Sequence, residues 1–221
     1  MASLSSAADT RPARGRRVRK PTGDDREREI LETAERLLEK RPIHEISVDD
    51  LARGAGISRP TFYFYFPSKE AVLLTLLDRM IEEARAGRGD ALERFSEDPP
   101  RWLRRGITSI YETFRSHRAV TLAAADARAN SAEVRELWER IMELFVEETT
   151  AAIEAERARD AAPDGVPARE LAIALNLMNE RVLHSAFAGH APTIEEDKVV
   201  DVLLAIWLSA IYGTTESSNI S

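Results

Sequence analysis

Residues 46–71 read ISVDDLARGAGISRPTFYFYFPSKEA, and this stretch decides the fold. Ser47 is placed to N-cap a helix, and Asp50, three residues on, to close a capping box. Leu51 and Ala52 give that helix a buried face. Gly54-Ala55-Gly56 breaks it, because glycine accepts the backbone of a tight turn and lets two helices approach closely. Ser58 N-caps a second helix with Pro60 in its first turn, where a missing N–H costs nothing. Pro67 ends that helix and Ser68-Lys69-Glu70 opens another. Two short helices about a glycine turn, with a cation just beyond the second, are the pattern of a helix-turn-helix that lays its second helix in the major groove of DNA.

The second helix needs anchors inside and polar groups outside. Phe62 and Phe66, four residues apart, share a face and are expected in the core; the place of Phe64 between them is open. Arg59 is the candidate for a base contact, since a guanidinium forks onto guanine O6 and N7. Thr61 offers a methyl to thymine or a hydroxyl to phosphate, and the Tyr63 and Tyr65 hydroxyls suit phosphates. Lys69 falls in a first helical turn, where the helix N-terminus and the ammonium favour the same phosphate. Ser47 is both a cap and a candidate phosphate contact. Aromatics also favour strands, but the length and flanking caps of residues 62–66 favour a helix.

Working outward, residues 1–23 carry no apolar periodicity and are expected to form a flexible basic arm. Arg11, Arg14, Arg16, Arg17, Arg19 and Lys20 have no acidic residue among them. Two readings stay open: a solvated tail, or an arm in which Arg14, Arg16 and Arg17 follow phosphates or enter a narrow minor groove. Asp24 and Asp25 open a helix to about Lys40, with Ile30, Leu31, Ala34, Leu37 and Leu38 as its apolar stripe. With the motif this makes a DNA-binding unit over residues 24–70. A further helix from Ser68 to about Ala86 leads into residues 71–221, where Gly87 and Gly89 loosen the chain. From there the expected helices are 101–116, 119–127, 131–160, 168–188 and 194–213, punctuated by Pro99-Pro100, Pro163 to Pro167 and Gly189 to Pro192. The fold class is all-α, about nine helices in two parts.

The net charge of −7 is unevenly spread. Residues 1–80 hold 15 Lys/Arg against 13 Asp/Glu, a net of +2, while the remainder holds 16 against 25, a net of −9. Only the first part suits phosphate. The chain has no cysteine, which excludes disulfides and thiolate chemistry. No apolar run approaches a membrane span and the leader lacks the apolar segment of a secretory signal, so a cytoplasmic location is expected, with an organelle transit peptide as a formal alternative.

The second part is longer than DNA contact requires. Asn176, Asn179 and Leu183 share a helix face inside LAIALNLMNERVL. Each buried amide needs a partner, which leaves a structural hydrogen bond and a polar grip inside a ligand cavity as the two readings. Candidate walls are Trp102, Ile107, Ile110 and Phe114 on one helix, Met142, Phe145 and Thr149 on another, and Trp207 on the last, a set suited to a small, largely apolar or amphipathic effector. Leu171, Leu175, Met178 and Val182 form one broad stripe; Val199, Val202, Leu203, Ile206, Ala210 and Ile211 form a second. Such faces suggest burial against the chain's own core and against a second copy, and a helix-turn-helix protein usually reads two half-sites.

Gly56, Ser58, Thr61, Tyr63, Tyr65, Phe66, Ser68, Lys69 and Glu70 together resemble the signature of the TetR family of bacterial transcription regulators. The likeness is specific over residues 24–80. Within that family FYFYFPSKEAVLLTLLDR and LNLMNER are similar to a branch of mycobacterial repressors. The resemblance implies operator DNA as partner, Tyr63 and Lys69 as residues holding the DNA backbone, a homodimer through a four-helix interface of the last two helices, and an effector that releases a repressor. It implies no cofactor and no metal. Leu103, Ile110 and His184 stand where that branch leads one to expect aromatics, and Glu148 at another such place, so the effector does not carry over. Two other classes compete. An architectural DNA-binding protein without effector would show little sequence preference and steep salt dependence. An enzyme is disfavoured: Glu180 and His184 are four apart, but no further ligand, nucleophile motif or phosphate-binding glycine loop accompanies them.

Overall fold

The computed structural model describes residues 22–89, 91 and 94–213. Among them are nine α-helices and no strand. α1 is Gly23–Leu38, α2 Val48–Gly54, α3 Arg59–Tyr65, α4 Lys69–Arg88, α5 Pro99–Ser116, α6 Arg118–Ala127, α7 Ala132–Ala158, α8 Ala168–Ala188 and α9 Val199–Tyr212. Short 3₁₀ turns lie at Ile43–Glu45, Phe95–Glu97 and Glu196–Lys198.

The caps set the boundaries. Thr22, just ahead of the Asp24 and Asp25 expected to open the helix, N-caps α1, and Asp25 closes a capping box on it. Ser47 and Asp50 form the expected box on α2, with Ser47 N–H donating to Asp50 Oδ2 at 3.0 Å and Asp50 N–H to Ser47 Oγ at 3.1 Å. Hydrogen bonds from the Ser47 hydroxyl and N–H hold the Asp50 carboxyl down at about 2, with Arg41 adding to the effect. Ser58 caps α3 and Ser68 caps α4. Pro99-Pro100 does not precede α5 but occupies its first turn, where prolines are tolerated, behind the Asp98 cap. α9 starts later than expected, because residues 196–198 form a separate 3₁₀ turn.

Gly54 supplies the close approach and Gly56 the turn expected of their segment, while Gly87, expected to loosen the chain, packs instead. A Cβ on Gly54 would lie 2.3 Å from Thr33 Cγ2, so glycine lets α2 close on α1, and the turn itself is made by Gly56 at φ 65°. Gly87 stays helical; a Cβ there would lie 2.5 Å from Ser109 Oγ, so its absence lets α5 approach α4. Gly89, at φ 56°, ends α4.

α1, α2, α3 and the first half of α4 close around Phe62, Ile30, Leu51, Ile46 and Leu77, all essentially solvent-free. In the second part α7 runs along α8, and α5 lies between α4 and α9. His117, at the α5–α6 junction, joins the two parts: its Nδ1 is 2.9 Å from Glu35 of α1 and its Nε2 is 3.2 Å from Glu83 of α4. At the opposite end the fully buried Glu156 accepts from Ser96 Oγ at 2.7 Å, Tyr212 Oη at 2.8 Å and the Arg159 guanidinium. Burial pushes that carboxyl up, but the bonds from Arg159, Ser96 and Tyr212 outweigh it and leave Glu156 below the ordinary range. No described helix is long and apolar enough to cross a membrane.

Candidate functional site

The first site is the outward face of α2, α3 and the start of α4. Arg59 is exposed on the first turn of α3; its guanidinium lies 3.3 Å from Asp49 Oδ2 and 3.3 Å from Tyr63 Oη, which holds it along the helix surface. Thr61 is exposed, with Oγ1 2.8 Å from Ser58 Oγ. Tyr63 is 44% exposed. Ser47, Tyr63, Ser68 and Lys69 line one open groove between the starts of α2 and α4. Arg14, Arg16 and Arg17 lie outside the described residues.

Lys69 and Tyr65 differ from their sequence reading, and Phe64, left open there, finds its place. The Lys69 ammonium turns inward, donating to the carbonyls of Ile43 at 2.8 Å, Ile46 at 2.9 Å and His44 at 3.4 Å. The three carbonyls, in and just after the 3₁₀ turn, form a cage that competes with solvent for the cation, the Ile43 carbonyl also accepting from Ile46 N–H at 3.1 Å. Tyr65 is half-buried and packs against the core rather than standing out beside Tyr63, because α3 turns by 100° per residue and brings it round toward the anchored face. Phe64 takes the outward place instead, 82% exposed between two tyrosines. The clue was present in the sequence: with Phe62 and Phe66 inward, the residue midway between them on a helix must point away.

The second site is a cavity among α4, α5, α7, α8 and α9, about 60 Å³ in volume. Trp102, Ile107, Ile110, Phe145, Thr149, Asn176, Asn179 and Trp207 all line it. Both asparagines are hydrogen-bonded within the wall. Asn176 Nδ2 donates to Thr149 Oγ1 at 3.1 Å and to the Ala172 carbonyl at 2.9 Å; Asn179 Oδ1 accepts from Trp207 Nε1 at 2.9 Å. The structural and the cavity-facing readings of these amides therefore coincide.

Phe114, Leu183 and Met142 are not in this wall. Phe114 and Leu183 line a separate space of about 20 Å³ beside Trp138 and His184, whose imidazole burial pushes down. Met142 is half-buried against the core. Seven residues along a helix are about 10 Å. An apolar stripe runs the length of a helix, but the cavity takes one band of it. Sequence reasoning missed Arg88, at the end of α4, and its place opposite Glu148: the guanidinium meets that carboxylate in a two-pronged pair at 2.5 and 3.0 Å in the cavity wall. Nothing in local periodicity joins residues sixty positions apart.

Comparison with known proteins agrees with both halves. Residues 30–76 match the profile of bacterial regulatory proteins of the tetR family, and residues 103–213 match that of the C-terminal domain of the transcriptional regulator EthR. The chain is 56% identical over 214 residues to the HTH-type transcriptional regulator EthR of Mycobacterium tuberculosis (strain ATCC 25618 / H37Rv), covering 95% of this chain and 97% of that protein. It is 53% identical over 211 residues to EthR of Mycolicibacterium smegmatis, covering 96% and 97%. Among solved structures, the fatty acid degradation regulator FadR from Bacillus halodurans shares the fold with a TM-score of 0.67 at 14% identity, covering 86% of this chain and 96% of that one. A capped helix-turn-helix joined to a helical part of EthR type, at this identity over nearly the whole length, places the chain in the TetR family, as an EthR-type helix-turn-helix transcriptional regulator.

Proposed function

We propose that this regulator is a dimeric operator-binding repressor released by a small, largely apolar effector bound in the cavity. The observation that carries the reading is the double attachment of α4. Its first residue, Lys69, is tied to the turn ahead of α2, and its last, Arg88, lies in the cavity wall. These ends are about 30 Å apart along the helix. A cavity of about 60 Å³ is far smaller than the roughly 300–1,000 Å³ of a typical small-molecule site. An effector therefore enters only by spreading the helices, which gives the two states of the chain different ligand affinity, the condition for coupling. Spread helices tilt α4 and re-space the two reading heads. The test is a fluorescence-polarisation titration against DNA upstream of the gene and its divergent neighbour, with scrambled DNA as control. Equal, salt-sensitive binding to all three would point instead to an architectural protein.

On DNA, α3 enters the major groove with Arg59, Thr61 and Tyr63 facing it, and Ser47 and the groove beside Lys69 meet the backbone. Phe64 joins this surface as an apolar contact for a thymine methyl. Phe64→Ala is expected to weaken operator binding by about tenfold, the scale of one mismatched base pair, with scrambled DNA bound as before. The melting temperature should not move, since the ring is almost wholly outside the core. An unchanged operator titration would take Phe64 off the reading face.

Asn179→Leu should change the effector response while leaving effector-free operator affinity close to wild type. The substitution strips Trp207 Nε1 of its acceptor, at a cost of about 1–3 kcal/mol in stability. Thermal melts beside operator titrations separate this local loss from collapse of the fold; collapse would leave the amide with a structural role alone.

A further inference from the structure

Resting on the effector reading above, we infer that the cavity selects an amphipathic molecule with an anionic head group, a carboxylate, held by Arg88. Arg88 is the last residue of α4 and its side chain is 13% exposed. Two of its nitrogens engage Glu148, but its buried Nε has no hydrogen-bond partner. The guanidinium thus keeps a donor unused at the wall of a largely apolar space formed by Trp102, Ile107, Phe145 and Trp207, whose polar groups Thr149, Asn176 and Asn179 are already hydrogen-bonded within the wall.

The partner carboxylate is replaceable. Glu148 Oε1 lies 3.7 Å from Arg85, one turn back along α4 and more open to solvent. A ligand carboxylate can take the fork of Arg88 and the idle Nε while Glu148 moves onto Arg85, so no buried charge is left alone. A cationic head group has no comparable route. It would have to draw Glu148 away from two arginines and strand the more buried of them. The exchange occurs on the terminal turn of α4, so the head group acts directly on the helix that carries the reading head, and the apolar tail supplies the volume that spreads α5, α7 and α9.

The test uses the full-length protein and three probes that share a ten-carbon chain, at concentrations below micelle formation: decanoate, methyl decanoate and decylammonium. Trp102 and Trp207 in the wall report binding by fluorescence. Decanoate should bind at least tenfold more tightly than its methyl ester, and decylammonium more weakly than either. Arg88→Gln should abolish the acid–ester difference while the ester still binds. Glu148→Gln should tighten decanoate severalfold by removing its competitor. The wild-type series needs no variant and decides alone: equal binding of acid and ester, or preference for the ammonium, overturns the head-group assignment while the cavity remains an effector site. Failure of all three probes to bind, with no effect on operator release, would remove the effector reading and this assignment with it.

Discussion

Lys69→Ala is expected to lower operator affinity by at least tenfold and to leave the salt dependence of binding nearly unchanged. A lysine beside a reading helix is ordinarily taken to contact phosphate, and its removal would then flatten the slope of log K against log salt by about 0.9 for each head. The structure assigns this ammonium other work. It donates to the carbonyls of Ile43, His44 and Ile46, which lie in and beside the turn ahead of α2. Hydrogen bonds from a charged donor are worth about 1.5–3 kcal/mol each. Partial exposure places the two short ones at the lower end and the 3.4 Å contact to His44 adds little, so losing the set should cost roughly 3 kcal/mol. For a chain of this size that is a fall in melting temperature of about 6–12 °C. Freed of this tie, α2 and α3 lose their fixed pose on α4 before DNA is met, and affinity falls because ordering must now accompany binding. Salt titration with wild type and variant separates the two accounts. A slope flattened by about one unit per head, with an unaltered melt, would mean that Lys69 leaves its cage to bind phosphate.

The head was legible because its signals are local. Ser47, Asp50, Ser58, Pro60 and Ser68 each act within four residues, and capping chemistry depends little on the rest of the fold. Of the glycines Gly87 was misread, and the neighbours that Gly54 and Gly87 make room for were out of reach. Gly54 and Gly87 are needed by Thr33 and Ser109, side chains on other helices, and a sequence lists no neighbours across a packing interface. Tyr65 was misplaced and Phe64 left open for a simpler reason. Hydroxyl chemistry drew attention to the tyrosines, whereas helical geometry alone fixes which of five consecutive aromatics faces out.

The cavity was legible as a set of apolar faces and illegible as a volume. Eight of the eleven nominated residues line it, and Phe114, Met142 and Leu183 fall outside because helix phase gives the direction of a side chain and not the depth of a void. The pair of Arg88 and Glu148 shows the other limit. Glu148 stood out in the sequence as a departure from an aromatic position, but its partner is 60 residues away on α4. Only tertiary packing shows that one wall of the site carries opposite charges.

The stripes of α8 and α9 are expected to be buried both in the chain's own core and against a second copy, and we propose that the copy meets the apolar residues the core leaves outside, which yields the second large expected effect. Leu175 is buried and Leu171, Met178 and Val182 pack against the chain's own core. The apolar residues that remain outside are Ile173 and Leu177, four apart on α8, at 36% and 50% exposure, and Ile206 on α9 at 41%. Ala205 and Ala210 are exposed beside Ile206 and give a partner helix room to approach. Leu177→Arg with Ile206→Arg should leave the helical content and melting of the protomer close to wild type, because neither side chain supports the core. It should convert a dimer to a monomer in sedimentation, since each copy of a two-fold interface then meets two arginines with two more. Operator affinity should fall by a hundredfold or more. Two heads on one dimer read half-sites one helical turn or a multiple of it apart, and the second contact is made at the high effective concentration that linkage provides, worth about 10²–10⁴ in affinity. A double variant that still sediments as a dimer would move the interface off this face. A monomer that bound the operator as tightly as wild type would show that a single head suffices, and re-spacing of two heads could then no longer explain release by an effector.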